Sequence, residues 1–136
     1  MAFTGPIEDR ILIRERYNAY SDASNRQDED AYLACWAEDG VRIGQGLTVT
    51  GKAALQQQWR QFWTILAKMA FFSEVGGIEV MGDTARAHVF CREIIVLKDG
   101  ALWKVVGQYQ DELVRQGESW VFARREYTLL IDEGKG

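Results

Sequence analysis

Residues 101–131, ALWKVVGQYQDELVRQGESWVFARREYTLLI, decide the fold. They divide into two runs of strand-favouring residues around Gln116-Gly117-Glu118-Ser119, a cluster of turn formers. Side chains alternate along a strand. Trp103, Val105, Gly107, Tyr109, Asp111 and Leu113 therefore share one face of the first run, and Leu102, Lys104, Val106, Gln108, Gln110 and Glu112 the other. The first set is the more apolar and is expected to be buried. Strict alternation in the second run groups Trp120, Phe122, Arg124, Thr128 and Leu130 against Val121, Ala123, Arg125, Tyr127, Leu129 and Ile131. Both groups are partly apolar, so the hairpin is expected to be covered on both sides.

Working outward, Lys98-Asp99-Gly100 carries the Asp-Gly pair of tight hairpins and connects back to a strand over 85–97. A further strand over 73–80 precedes the Gly82-Asp83 turn. Upstream the period changes. A helix is expected over 7–24, with Ile13, Tyr17 and Tyr20 facing inward and Ile7 and Ile11 on a second stripe. Asp28 caps a short helix over 29–36, and Glu38-Asp39-Gly40 turns the chain. Short extended pieces over 41–44 and 47–50 follow. Thr50 is the expected cap of a third helix, from Lys52 to about Ala70, with Leu55, Trp59, Phe62 and Leu66 on one stripe. Residues 1–5 read as a loose arm. Helices followed by a four-strand meander define an α+β chain, not alternating βαβ units.

With 136 residues, the chain is the length of one domain, 1–136, and its 47% apolar content excludes global disorder. The net charge of −4, with both signs scattered, excludes a nucleic-acid footprint. No apolar run reaches the roughly 18 residues of a membrane span. Cys35 and Cys91 offer neither a disulfide framework nor metal-ligand spacing. With no signal peptide, the expected compartment is the cytoplasm. Five Trp, five Tyr and six Phe supply an aromatic core, an aromatic-lined pocket, or both. The chain carries no phosphate loop and no nucleophile elbow. His88, the single histidine, sits in a strand on the face opposite Val89 and Cys91, which makes it structural.

The string Tyr109-Gln110-Asp111-Glu112-Leu113-Val114-Arg115, then Trp120, then Arg124-Arg125, resembles the closing hairpin of SnoaL-like proteins of the nuclear-transport-factor-like superfamily. Scytalone dehydratase, hexachlorocyclohexane dehydrochlorinase, ketosteroid isomerase and polyketide cyclases belong to that superfamily. The resemblance implies a curved, mostly antiparallel sheet wrapped around three helices as a cone-shaped barrel with an internal apolar pocket. Leu102, Val106 and Val114 leave the outer face of the sheet partly apolar, so a homodimer through that face is expected, and the resemblance supports it.

The dehydratase-like members use an Asp after the first helix to orient a His that removes a proton. Here the Asp position holds Asn25, and the His position falls at Phe71 or Phe72. Asn cannot stabilise an imidazolium as a carboxylate does, and Phe cannot take a proton. The resemblance therefore supports the fold and argues against the dyad. It implies a ligand site drawn from Tyr17, Tyr20, Asn25, Arg42, Trp63, Leu66, Val89, Cys91, Val105, Tyr109 and Arg125, with Arg124 the register alternative. No catalytic residue is assigned. Asp22 and Asp111 are the carboxylates nearest to that site in sequence, and Asp111 reads as the structural partner of an arginine on the next strand. The expected function is binding of a small apolar or aromatic molecule, with lyase or isomerase chemistry if the chain is an enzyme, and no metal or organic cofactor. The alternative is a non-catalytic partner, such as the small subunit of a ring-hydroxylating oxygenase, for which the chain is short.

Overall fold

The computed structural model describes residues 2–135; Met1 of the expected arm and Gly136 lie outside them. Its order is β1 (Phe3–Thr4), α1 (Ile7–Arg26), α2 (Glu29–Ala34), β2 (Trp36–Gly44), β3 (Leu47–Thr50), α3 (Lys52–Ile65), β4 (Leu66–Met81), β5 (Thr84–Leu97), β6 (Leu102–Gln116) and β7 (Ser119–Lys135). One seven-stranded sheet runs β1-β4-β5-β6-β7-β2-β3. It is a mixed α+β fold, and the sheet is curved but not closed into the expected barrel. β4 to β7 form the antiparallel meander, while β1 joins β4, and β2 joins β7, in parallel.

Three expectations change. The arm is not loose: Phe3 and Thr4 pair with Ile78 and Glu79 at the sheet edge. α3 ends at Ile65, and Leu66 is already extended with ψ 135°. The residues expected to continue the helix instead pair along β5, from Leu66 opposite Leu97 to Ala70 opposite Ile94. Sheet pairing overrides a short stretch whose apolar spacing suits either structure. Trp36 likewise starts a strand, opposite Phe122, instead of ending a helix.

The helix caps follow local chemistry. The Asp28 carboxylate accepts a hydrogen bond from the Ala31 amide at 3.0 Å. α3 is capped by Gly51 at φ 90°, a conformation that Thr50 would have resisted.

α1 buries Ile13, Tyr17 and Tyr20 against the sheet and leaves Ile7 and Ile11 exposed. Trp36, Leu55, Phe71, Val89, Leu113 and Phe122 complete the centre of the core.

The closing hairpin departs from strict alternation at one decisive place. Leu113 pairs with Phe122 and Glu112 with Arg124, leaving Ala123 as an extra residue in β7. This bulge shifts the parity of the strand by one. Phe122, Arg125 and Tyr127 are therefore all buried on the inner face, whereas Arg124 pairs with Glu126 near the surface. The expected grouping of Phe122 with Arg124 is wrong for that reason. Nor is the sheet covered on both sides within the chain: Phe72, Phe90, Leu102 and Ile131 remain exposed.

Candidate functional site

The inner face of the sheet and the C-terminal half of α3 line a partly open cavity with two lobes. The larger holds about 90 Å³ and is lined by Leu66, Ile95, Trp103, Val105, Tyr127 and Leu129. The smaller holds about 60 Å³ and lies among Tyr20, Tyr32, Trp59, Trp63, Phe71 and Tyr109. Arg42, Phe62, Met69 and Glu93 line both lobes and so form the waist between them. An apolar cavity of roughly 150 Å³ takes a benzene-sized molecule, which sets the scale for a ligand spanning both lobes.

Glu93 is the carboxylate at this waist. Strand alternation places it inward with Cys91 and Ile95. The Tyr127 hydroxyl donates to its Oε2 at 3.1 Å. Burial raises its pKa above the ordinary carboxylate value, and the Tyr127 hydrogen bond and the Arg42 charge pull it partly back. Gly107 makes this contact possible. A Cβ there would sit 2.1 Å from the Tyr127 ring, so only glycine lets the phenol lie across β6. Burial, and then the Glu93 charge, raise the Tyr127 hydroxyl in turn.

Arg42 comes from β2, directly opposite Arg125 on β7. Its Nη2 donates to the Tyr109 hydroxyl at 3.4 Å, and its Cζ lies 5.6 Å from the Phe62 ring centroid.

Arg125 is arranged differently. Only 1% of the residue is exposed. Its Nε and Nη2 donate to the two Asp111 oxygens at 2.8 and 3.0 Å, and Tyr17 donates to Asp111 at 2.5 Å. The guanidinium stacks on Tyr109, with its Cζ 3.7 Å from the ring centroid, and Tyr20 and Phe122 flank it. Burial pushes the Asp111 carboxyl up, and Arg125 and Tyr17 pull it back.

Of the residues singled out in the sequence, Tyr20, Arg42, Trp63, Leu66, Val105 and Tyr109 line the lobes. Tyr17, Asn25, Val89, Cys91 and Arg125 do not. Tyr17 and Arg125 belong to the sealed network beneath the cavity. Val89 and Cys91 are packed core, and burial pushes the Cys91 thiol up to about 12.

Asn25 spans the gap between α1 and β4. Its Nδ2 donates to the Phe71 carbonyl at 2.9 Å, and its Oδ1 accepts from the Phe71 amide at 2.8 Å. The two positions where the resemblance places a dyad therefore meet, but as a clamp between side chain and backbone. The inward residue is Phe71, while Phe72 points out. Asp22 is an exposed partner of Arg26. His88 packs edge-on to Phe90 and over Gly76, and lines neither lobe.

The sequence reading missed Glu93, although its inward parity with Cys91 was available. Phe62, Met69, Trp103 and Tyr127 were missed as walls because neither the period of α3 nor the register of β7 showed which residues meet across the cavity. Among the described residues, no group of three or more His, Cys, Asp or Glu is placed to hold a metal ion. Among the described residues, no helix is long and apolar enough to cross a membrane.

A curved sheet and helices around a cavity, with one carboxylate and one guanidinium at its waist, define a mixed α+β fold with an internal pocket. Residues 6–126 match the model of the SnoaL-like domain, and the chain belongs to that family. No curated protein matches it at a significant level. A proposed aromatic ring hydroxylase from Novosphingobium aromaticivorans is a similar solved structure, with TM-score 0.85 and 27% identity over 98% of this chain and 95% of that one. A proposed scytalone dehydratase from the same species superposes with TM-score 0.84 at 17% identity, covering 93% of this chain and 87% of that one. A hexachlorocyclohexane dehydrochlorinase matches with TM-score 0.84 at 14% identity, over 93% and 88% of the two chains.

Proposed function

We propose that this protein binds a small, largely apolar or aromatic molecule in the two-lobed cavity and catalyses a cofactor-free lyase or isomerase reaction in which Glu93 moves the proton. The observation that carries the proposal is a carboxylate at the waist of an apolar cavity, held by Tyr127, with its pKa raised by burial. A carboxylate shifted in that direction is a better base near neutral pH than an exposed one. In the proposed step Glu93 takes a proton from a carbon beside an acidifying group. The electron pair left behind either expels a leaving group from the adjacent carbon or accepts the proton back at another position. The first outcome is a lyase reaction, the second an isomerisation. Solved relatives described as a dehydratase and a dehydrochlorinase make eliminations a natural class.

The test is deuterium uptake by phenylacetone in heavy water, followed by mass spectrometry. The wild type should accelerate exchange, and Glu93→Gln should lose about 10²-fold or more of that acceleration. Equal exchange by the variant would sink the role of Glu93.

The similar structure described as an aromatic ring hydroxylase favours a second reading, a non-catalytic partner of a ring-hydroxylating oxygenase. Co-purification with a large metal-bearing chain would support it. We also propose a homodimer through the outer sheet face, supported by exposed Phe72, Phe90, Leu102 and Ile131 there. Light scattering should then give about twice the 15.5 kDa chain mass. A monomer at micromolar concentration would remove that proposal.

A further inference from the structure

We infer that Arg42 is an anion anchor, and that the molecule the cavity takes is a single aromatic ring bearing a carboxylate. The inference rests on the same cavity as the proposed function but needs no turnover.

The argument begins with what Arg42 lacks. A guanidinium carries five N–H donors in a planar fork. The bond given by Arg42 is one long contact, to a tyrosine hydroxyl at 3.4 Å. Among the described residues, no carboxylate oxygen lies within 4.0 Å of it. Other inward-facing arginines are treated differently by the fold. Arg125 has both oxygens of Asp111. Arg16 reaches the Trp120 carbonyl at 2.6 Å, the Ser119 hydroxyl at 3.0 Å and the Cys35 sulfur. Arg42 is only half-buried, so its remaining donors open onto the pocket, where a ligand can supply acceptors in place of water. A planar carboxylate is the acceptor whose two oxygens match the fork.

The surroundings specify the rest of the molecule. Phe62 and Met69 stand beside Arg42 at the waist, and Leu66, Ile95 and Val105 lie beyond it in the larger lobe. These surfaces suit a ring and offer it no hydrogen bonds.

Glu93, on the same waist, sets the polarity. It is faced by Arg42 from β2, Tyr109 from β6 and Tyr127 from β7, with Arg125 and Asp111 behind them. α1 and α2 present the phenols Tyr20 and Tyr32 to the smaller lobe, and α3 and β4 present uncharged side chains. A carboxylate docked on Arg42 therefore meets one like charge, Glu93, and removing that charge should tighten binding.

The experiment is calorimetric titration of the intact protein with benzoate and phenylacetate against their neutral amides, benzamide and phenylacetamide. At least tenfold tighter binding of the acids is expected. Arg42→Gln should erase that preference, Arg42→Lys should restore part of it, and Glu93→Gln should keep or increase it. Equal affinity for acid and amide, absence of binding by either, or an acid preference that survives in Arg42→Gln would overturn the inference. If Arg42→Gln does not fold, the acid-to-amide ratio of the wild type decides alone. Acid selectivity without deuterium exchange would leave the anion site standing and remove the catalytic reading. Exchange without selectivity would do the reverse.

Discussion

Arg42 and Arg125 lie opposite each other on neighbouring strands, face the same way, and have opposite fates. Arg125 is closed off by a forked pair of hydrogen bonds to Asp111 and by aromatic faces. Arg42, one strand away, opens onto a cavity and gives one long hydrogen bond, to the Tyr109 hydroxyl. The first arrangement builds the floor of the site, and the second leaves reactive capacity above it. One residue type in one layer of the fold serves structure where its charge is matched internally. It serves binding where the match is left to a ligand.

The strongest way to break this comparison is to cut the sealed pair. Asp111→Ala would strand the Arg125 cation among aromatic rings, and breaking a buried pair in this way costs about 3–5 kcal/mol. Arg42→Gln removes a cation that forms no ion pair and should cost within about 1 kcal/mol, since Glu93 keeps its Tyr127 hydrogen bond and can take up a proton in place of the lost charge. Urea unfolding of both variants measures the difference. Similar losses in the two would show that Arg42 is as structural as Arg125. Replacing Asp111 and Arg125 together with apolar residues of like volume should recover much of the loss, because the penalty lies in the unmatched charge.

A smaller effect is expected at Gly107. The Cβ of Gly107→Ala would overlap the Tyr127 ring and push it away from Glu93. Overpacking of this kind typically costs about 1–3 kcal/mol. The Arg125–Asp111 pair lies elsewhere in the register and should persist, so the variant should damage the cavity while sparing its floor. A melt shows the stability loss, and the acid-to-amide binding ratio shows whether the waist has been disturbed.

The two halves of the comparison differ in how legible they were in the sequence. The antiparallel meander, the inward face of α1 and the pairing of Asp111 with an arginine on the next strand all follow from local period and charge. Which arginine it was did not. Arg124 and Arg125 differ by one step in parity, and the bulge at Ala123 that settles the matter is a property of two paired strands, not of one sequence. Arg42 was named as a site residue, but its partners at the waist were hidden for a related reason. Arg42, Phe62, Met69 and Glu93 come from four different elements and meet only when β4 replaces the expected last turn of α3. Glu93 carried a local signal that went unread, an acidic residue on the inward parity of an apolar strand. The outward face of the sheet was legible as apolar, but the sequence held no partner to cover it.

The smallest expected effect concerns the charge that the fold keeps at this waist at its own expense. Burial raises the Glu93 pKa in the folded protein above its ordinary, unfolded value of 4.5. Below the unfolded value the carboxyl is protonated in both states, and its charge exerts no penalty. As pH rises from there through the folded pKa, the unfolded chain ionises first, and folding stability is lost. Above the folded pKa the loss is complete. Glu93→Gln has no charge to desolvate and nearly the same shape, and its amide oxygen can still accept from Tyr127. The variant should therefore melt a few degrees above the wild type at pH 8, with the gain shrinking toward nothing by pH 4. Differential scanning calorimetry of both proteins across that range reads the difference directly. Arg124→Gln, exposed and paired with Glu126 at the surface, should show no such pH-dependent gain. A gain at Glu93 that stays constant with pH would trace to packing, not charge, and would mean that the waist is as internally matched as the floor beneath it.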